Sequence, residues 1–395
     1  MILIDEAEND AMLQKAPHQK TRNPLKELVA LGQSPWLDYI NRTHTEEGEL
    51  KRLVEEDGLR GMTSNPAIFE KTMGYGHAYD AQIKSILARR KVGAGELYEE
   101  LAVTDIRAAC DTLHPVFESS KGQDGHVSIE VSPHLAHDAE GTIKEARRLW
   151  KAVDRRNLMI KIPGTPAGAK AIEQATADGI STNVTLLFSQ KAYHETFNAY
   201  IKGLERRVAD GEDVSRIASV ASFYIGRVDL LVDEQIDRKI AAKDVHTNIL
   251  RALRGKIAIA NATLAYAHWQ EVSRSDRWRN LAAAGANAQR LLWASTSTKD
   301  KTYSDVIYVD ELIAPDTVNT MPLPTFEAFR DHGNPSEPMV IDVADAKAKL
   351  DALAKGGIDL HAITDKLLRD GLAGFNEAFD KLHTVLKGKI EALAA

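Results

Sequence analysis

Eight short β-rich runs, each closed by a polar, Gly or Pro signal and followed by a longer helical pattern, constrain this chain more than any other feature. They are Ser34–Tyr39, Arg60–Asn65, His126–Ser132, Leu158–Pro163, Ser181–Phe188, Ile217–Tyr224, Arg290–Ser295 and Val318–Met321. Strands that alternate with helices read as a parallel sheet covered by helices, and eight is the number at which such a sheet closes into a barrel. Helical periodicity covers Glu46–Asp57, Ala78–Arg90, Leu97–Glu118, Glu140–Asp154, Ala167–Asp178, Gln190–Ala209, Asp229–Ile240, Val245–Glu271, Ala344–Ala354 and Leu360–Leu386. No internal repeat and no low-complexity linker divides the chain. The expectation is an α/β protein, a single (β/α)8 TIM-type barrel with additional helices over residues 24–395, preceded by a flexible tail over residues 1–23. An open doubly wound sheet is the alternative that the pattern leaves.

Charge and cysteine usage exclude several function classes. Lys+Arg 50 against Asp+Glu 57 gives a net charge of −7, with both signs interspersed along helix faces, which argues against a nucleic-acid or anionic-membrane surface. Cys110 is the only cysteine, so no intramolecular disulfide forms. No segment approaches the ~18 consecutive apolar residues of a membrane span. The first residues continue into Asp5-Glu6-Ala7-Glu8 and lack the basic start of a signal peptide. A cytoplasmic protein, monomeric or homodimeric, is expected.

In Leu158-Met159-Ile160-Lys161-Ile162-Pro163, the lysine sits mid-strand and shares a face with Met159 and Pro163. Burial disfavours an ammonium, so the expectation is a lowered pKa and a neutral, nucleophilic amine near pH 7. A snorkelling edge lysine or one half of a buried ion pair fits the same pattern. Other strands repeat the arrangement: Ser128, Glu130 and Ser132 alternate with Val127, Ile129 and Val131, and Ser181, Asn183 and Thr185 share a face. Asp38 and Asn65 lie at strand ends. A buried carboxylate needs a partner or a task, and in a parallel barrel the strand ends converge on the face that hosts the active site.

These strings together resemble the transaldolase family. The matching stretches are Thr63-Ser64-Asn65-Pro66, Ser128-Ile129-Glu130-Val131, Ile160-Lys161-Ile162-Pro163, Asn183-Val184-Thr185-Leu186-Leu187-Phe188-Ser189 and Ser222-Phe223-Tyr224-Ile225-Gly226-Arg227. The runs Trp293–Lys299 and Pro315–Pro322 are most similar to the longer bacterial branch. The resemblance covers roughly residues 23 to 386.

The resemblance implies a metal-independent, cofactor-free transferase acting on small sugar phosphates by Schiff-base chemistry. Lys161 would form an imine with the C2 carbonyl of a ketose phosphate, and Asp38 would remove the C4 hydroxyl proton. Glu130 with Thr185 would handle the water lost and regained in imine chemistry. Asn65, Asn183 and Ser222 would hold the dihydroxyacetone unit. Arg227 would bind the distal phosphate, since a guanidinium donates in a planar fork. Relatives commonly carry Ser-x-Arg where this chain reads Ser295-Thr296-Ser297-Thr298-Lys299. Ser295 with Lys299 is the substitute, a solvated loop lysine the alternative. Two other functions remain: a fructose-6-phosphate aldolase, whose relatives are shorter and in some cases use a tyrosine for the proton transfer that falls to Asp38 in this chain, and a non-catalytic sugar-phosphate-binding barrel.

Other signals carry less. His134 and His137 have a spacing possible for metal ligands but no third partner. Gly164–Lys170 lacks the spacing of a phosphate loop, and no Gly-x-Gly-x-x-Gly follows a strand. Leu367, Leu368, Phe375, Phe379 and Leu382 read as packing residues of a C-terminal helix.

Overall fold

The computed structural model describes residues 22–336 and 338–394. The tail expected over residues 1–23 lies outside the described residues except for its last two. The second of these, Asn23, caps helix Pro24–Ala30 by accepting from the Leu25 amide at 3.0 Å.

Eight parallel strands pair in chain order and close: β1 (Gln33–Asp38), β2 (Gly61–Thr63), β3 (His126–Glu130), β4 (Leu158–Pro163), β5 (Thr182–Leu187), β6 (Ser219–Tyr224), β7 (Arg290–Ala294) and β8 (Thr317–Met321). Closure is by β1 against β8, with Trp36 opposite Thr320 and Leu37 opposite Met321. The barrel removes the open doubly wound alternative. All eight expected strands are present, with ends displaced by two residues at most.

β3 to β6 are buried along their whole length, because the barrel interior takes one face and the surrounding helices the other. The register pairs Glu130 with Lys161 and Lys161 with Asn183, which puts these three polar side chains on one face of the sheet. Ile129, Ile160, Ile162 and Val184 take the opposite parity and belong to the apolar core.

The helices differ from expectation where glycine or proline intervenes. The pattern over Val245–Glu271 is two helices, Thr247–Arg251 and Ile257–Ser273. Between them Gly255 adopts a φ of +67°, and its amide donates to both Asp233 carboxylate oxygens at 3.2 Å. Pro66–Gly74 and Leu323–His332, both opened by proline-containing turns, are helices that the periodicity did not reveal.

The C-terminal helix, Leu360–Ala394, is 35 residues long and packs on helix Pro66–Gly74 beside the barrel mouth. Lys381 pairs with Glu70 at 2.7 Å, and Lys389 donates to the Gly76 carbonyl at 2.7 Å. Leu367, Phe375 and Leu382 are buried in this packing, Leu368 and Phe379 partly so. Among the described residues no helix is long and apolar enough to cross a membrane.

Candidate active site

Strand ends β1, β2, β4, β6, β7 and β8 and the loops after them enclose a cavity of about 620 Å³ at the C-terminal mouth of the barrel. That volume is in the usual range for a small-molecule site. Lys161, Asp38, Asn65, Ser222, Arg227, Ser295 and Lys299, all singled out from sequence, line it.

The Lys161 side chain is 4% exposed, and its ammonium donates to the Ser64 carbonyl at 3.0 Å. Glu130 Oε2 lies 3.6 Å from Lys161 Nζ, and neither Glu130 carboxylate oxygen has a hydrogen-bond partner. Burial raises the Glu130 carboxyl to about 7, against the opposing pull of Lys161. Burial also pushes Lys161 down, as expected from sequence, but the charges of Glu130, Tyr224 and Asp38 outweigh it and the lysine pKa is raised. The expectation of a lowered pKa is thereby corrected: the carboxylates that share the barrel hold the resting ammonium.

Asp38 closes β1, and its Oδ1 accepts from the Thr63 hydroxyl at 2.6 Å. Thr63 Oγ1 is in turn 2.8 Å from Thr320 Oγ1. Asn65 caps helix Pro66–Gly74 by accepting from the Ile68 amide at 3.1 Å, which leaves its amide nitrogen for the cavity.

Asn183 and Thr185 are fully buried and do not line the cavity. Asn183 donates to Ser128 Oγ at 3.0 Å and accepts from Ser222 Oγ at 2.7 Å, so it joins β3, β5 and β6 across the barrel. The Thr185 hydroxyl meets the Tyr224 hydroxyl at 3.2 Å, and no hydrogen bond joins it to Glu130.

At the other end of the cavity, Arg227 opens helix Gly226–Ala241 and its guanidinium lies 5.5 Å from the Tyr224 ring centre. No carboxylate pairs with Arg227 among the described residues. The Ser295–Lys299 loop is held against this helix start: Gly226 donates to the Ser295 carbonyl at 3.1 Å, and a Cβ on Gly226 would come within 2.8 Å of the Ser295 and Ser297 carbonyl oxygens. Lys299 donates to Ser297 Oγ at 2.5 Å. Although the Lys299 side chain reaches solvent, crowding of its ammonium by the loop and then the nearby Arg227 charge lower its pKa. Two cations near each other beside a helix start without a side-chain cap are an arrangement that suits an anion.

Thus one cavity brings together the buried Lys161, Asp38 and two cations without a carboxylate partner, Arg227 and Lys299. A profile of the transaldolase/fructose-6-phosphate aldolase family matches residues 35–386. The chain belongs to that family. Relatives include a Nostoc protein named "Transaldolase 2", 49% identical over 377 residues that span 94% of this chain and 99% of the relative. The "Transaldolase" of Trichodesmium erythraeum is 47% identical over 375 residues, 94% of this chain and 98% of the relative. That of Mycobacterium bovis is 44% identical over 376 residues, 94% and 99%.

Four side chains of this transaldolase-family site escaped the sequence reading. Thr63 and Tyr224 were within reach of it: each lies two residues from a singled-out residue, Asn65 or Ser222. Thr320 sits in the eighth strand, where no lysine or carboxylate marks a chemical face. Phe375, whose ring centre is 5.8 Å from Lys161 Nζ, arrives from the C-terminal helix, and no local signal places it there. His134, by its spacing a possible metal ligand, pairs instead with Asp380 at 2.8 Å.

Proposed function

We infer that the chain is a transaldolase of the Schiff-base type, moving a dihydroxyacetone unit from a ketose phosphate to an aldose phosphate. Sedoheptulose 7-phosphate or fructose 6-phosphate is the donor, glyceraldehyde 3-phosphate or erythrose 4-phosphate the acceptor, as in the non-oxidative pentose phosphate pathway. The observation that carries this reading is the placement of Lys161 and Asp38 in one cavity with Arg227 and Lys299 at its far end.

The reaction begins when Lys161 passes a proton to Glu130 and its neutral amine attacks C2. Loss of water gives the protonated imine, with Glu130 donating the proton that leaves with the hydroxyl. Asp38 then takes the C4 hydroxyl proton; the C3–C4 bond breaks, its electrons flow toward the iminium, and the aldose phosphate departs. The enamine left on Lys161 attacks the incoming aldehyde, and Asp38 returns its proton to the new hydroxyl. Hydrolysis regenerates the amine.

The remaining assignments follow the same geometry. Asn65 and Ser222 hold the three-carbon unit, and Asn183 supports them by fixing Ser222. Thr185 acts through Tyr224 on the water side of the imine. Arg227 and Lys299, with Ser295, receive the phosphate. The chain from residue 24 onward works as one catalytic unit, because Phe375 of the last helix closes the cavity. The one chain supplies every group named, as a monomer or homodimer in the cytoplasm, where its single buried thiol, Cys110, stays reduced.

Tyr224 favours a second reading. A phenol in the cavity beside Lys161 can protonate the enamine, and hydrolysis would then release free dihydroxyacetone, as a fructose-6-phosphate aldolase does. The test is incubation with fructose 6-phosphate, with and without erythrose 4-phosphate, followed by borohydride trapping and peptide mapping. An adduct on Lys161 and acceptor-dependent turnover are expected. Free dihydroxyacetone without acceptor would shift the reading to the aldolase, and no adduct, or one on another lysine, would sink both.

A further inference from the structure

A second cavity, of about 300 Å³, reaches Glu130 and shares no lining residue with the first. It lies between helix Ala94–Ser119, helix Ala139–Val153 and the C-terminal helix, and Glu130, Ser132, Tyr98, Glu99, Arg148 and His383 line it. Exposure rises steeply along its wall. The Glu130 side chain is 3% exposed, Glu99 is 29%, Arg148 is 44% and Glu96, also on the wall, is 64%. The void therefore runs from solvent to a buried carboxylate.

Its inner polar atoms lack hydrogen bonds. Both Glu130 carboxylate oxygens and His383 Nε2 are buried without one, and a buried carboxylate whose only partner is Lys161 at 3.6 Å is costly unless something satisfies its remaining lone pairs. Glu99, Ser132, Glu145, Arg148 and His383 bring polar groups to a wall otherwise made of Ala102, Ile129, Leu149 and Phe379, and the volume is many times what one water needs. Water is the ligand that fits.

We propose that this rear cavity is a water and proton conduit serving Glu130, separate from the substrate mouth. The inference rests on the Schiff-base reading above. When ketose fills the front cavity under Phe375, the water expelled on imine formation leaves past Glu130 and returns by the same route for hydrolysis. The hydroxyl lost from C2 becomes that water with the proton Glu130 took from Lys161. Glu130, left as the carboxylate, is reprotonated by the water that returns through the conduit and adds to C2 as hydroxide, and it then hands the proton back to the Lys161 amine, with His383 Nε2 a polar contact for water along the way. The charged groups that face the conduit are Glu96 and Glu99 from one helix, Glu145 and Arg148 from the second, His383 from the third, and Lys161 across Glu130. Arg148 is held by Glu99 and by Glu145, so the outer opening is a fixed ion-pair cluster.

The experiment measures incorporation of ¹⁸O from labelled water into C2 of fructose 6-phosphate at saturating ketose, where the front mouth is occupied. Two variants obstruct the conduit. Ala102→Leu fills its inner wall, where Ala102 is fully buried. Gly95→Trp plugs the outer end, where a Cβ would meet only the His383 ring, at 3.7 Å, and folding is not at stake. In both, exchange should fall about tenfold or more, while KM and the borohydride adduct on Lys161 persist and the Tm stays near that of the wild type. Wild-type exchange in Gly95→Trp, or in a folded Ala102→Leu, would overturn the conduit. Equal losses in exchange and KM in Gly95→Trp would assign the residue a structural role and overturn it too. A wild-type protein that shows neither exchange nor a Lys161 adduct would instead refute the Schiff-base reading itself.

Discussion

The two ends of the barrel both bury charge, and they treat it differently. At the N-terminal end, Arg290 at the start of β7 donates to Asp124 at 2.9 Å, Ser34 Oγ at 2.6 Å, and the Thr317 and Gln123 carbonyls at 2.7 and 3.0 Å. Ser34 also donates to the second Asp124 oxygen at 2.9 Å. In this cluster both charges, Arg290 and Asp124, are answered by fixed partners. At the C-terminal end, Lys161 and Glu130 stand 3.6 Å apart, the carboxylate has no hydrogen bond, and Arg227 has no counter-ion among the described residues. A satisfied network locks strands together; an unsatisfied one is held ready for a substrate that supplies the missing partners.

Substitutions at the two ends should therefore separate activity from stability. The largest effect is expected from Lys161→Ala, which should lower kcat by about 10⁴-fold or more in a coupled transaldolase assay while the urea midpoint holds or rises. Next, Asp38→Ala should still be trapped by borohydride on Lys161, yet cleave C–C bonds about 10³-fold more slowly in single turnovers; a wild-type rate would remove Asp38 from the role. Arg290→Ala should do the opposite. It should cost about 3 kcal/mol in urea unfolding, by leaving Asp124 buried without its partner, and keep kcat/KM per folded molecule. Loss of activity without loss of stability would break the contrast between the two ends.

Arg227→Ala should cost about 2 kcal/mol in kcat/KM for phosphorylated donors and leave unphosphorylated fructose unaffected. The mildest signature is in pH. Because Glu130 is raised to about 7, the fraction of enzyme with a carboxylate free to take the Lys161 proton declines as pH falls through that value. The kcat/KM profile should therefore bend downward on the acid side near pH 7, and Glu130→Gln, slower throughout, should lack the bend.

The same contrast explains what the sequence could reveal. Strand runs such as Leu158–Pro163 are legible because a strand buried on both faces is short, apolar and bounded, and a charged residue inside it stands out. Asp38, Glu130 and Lys161 are visible in that way. The direction of the Lys161 pKa is not, because it depends on distances to carboxylates on other strands, which alternation does not encode. Asn183 and Thr185 share the parity of the site, but their hydrogen bonds to Ser128, Ser222 and Tyr224 on other strands, which alternation does not encode, take up their side chains. Phe375 lies 214 residues beyond Lys161 in the chain, and only tertiary packing brings them together. The N-terminal Arg290 network is hidden for the complementary reason: an arginine at a strand start is ordinary in sequence, and its burial against Asp124 emerges only when the barrel closes.

The position of Phe375 has a consequence for synthesis. Translation produces Lys161 and the strands around it well before the helix that roofs them, so a growing chain has a reactive amine in an unroofed cleft. The part of the cavity wall that Phe375 supplies beside Lys161 is completed only when the C-terminal helix docks on the mouth.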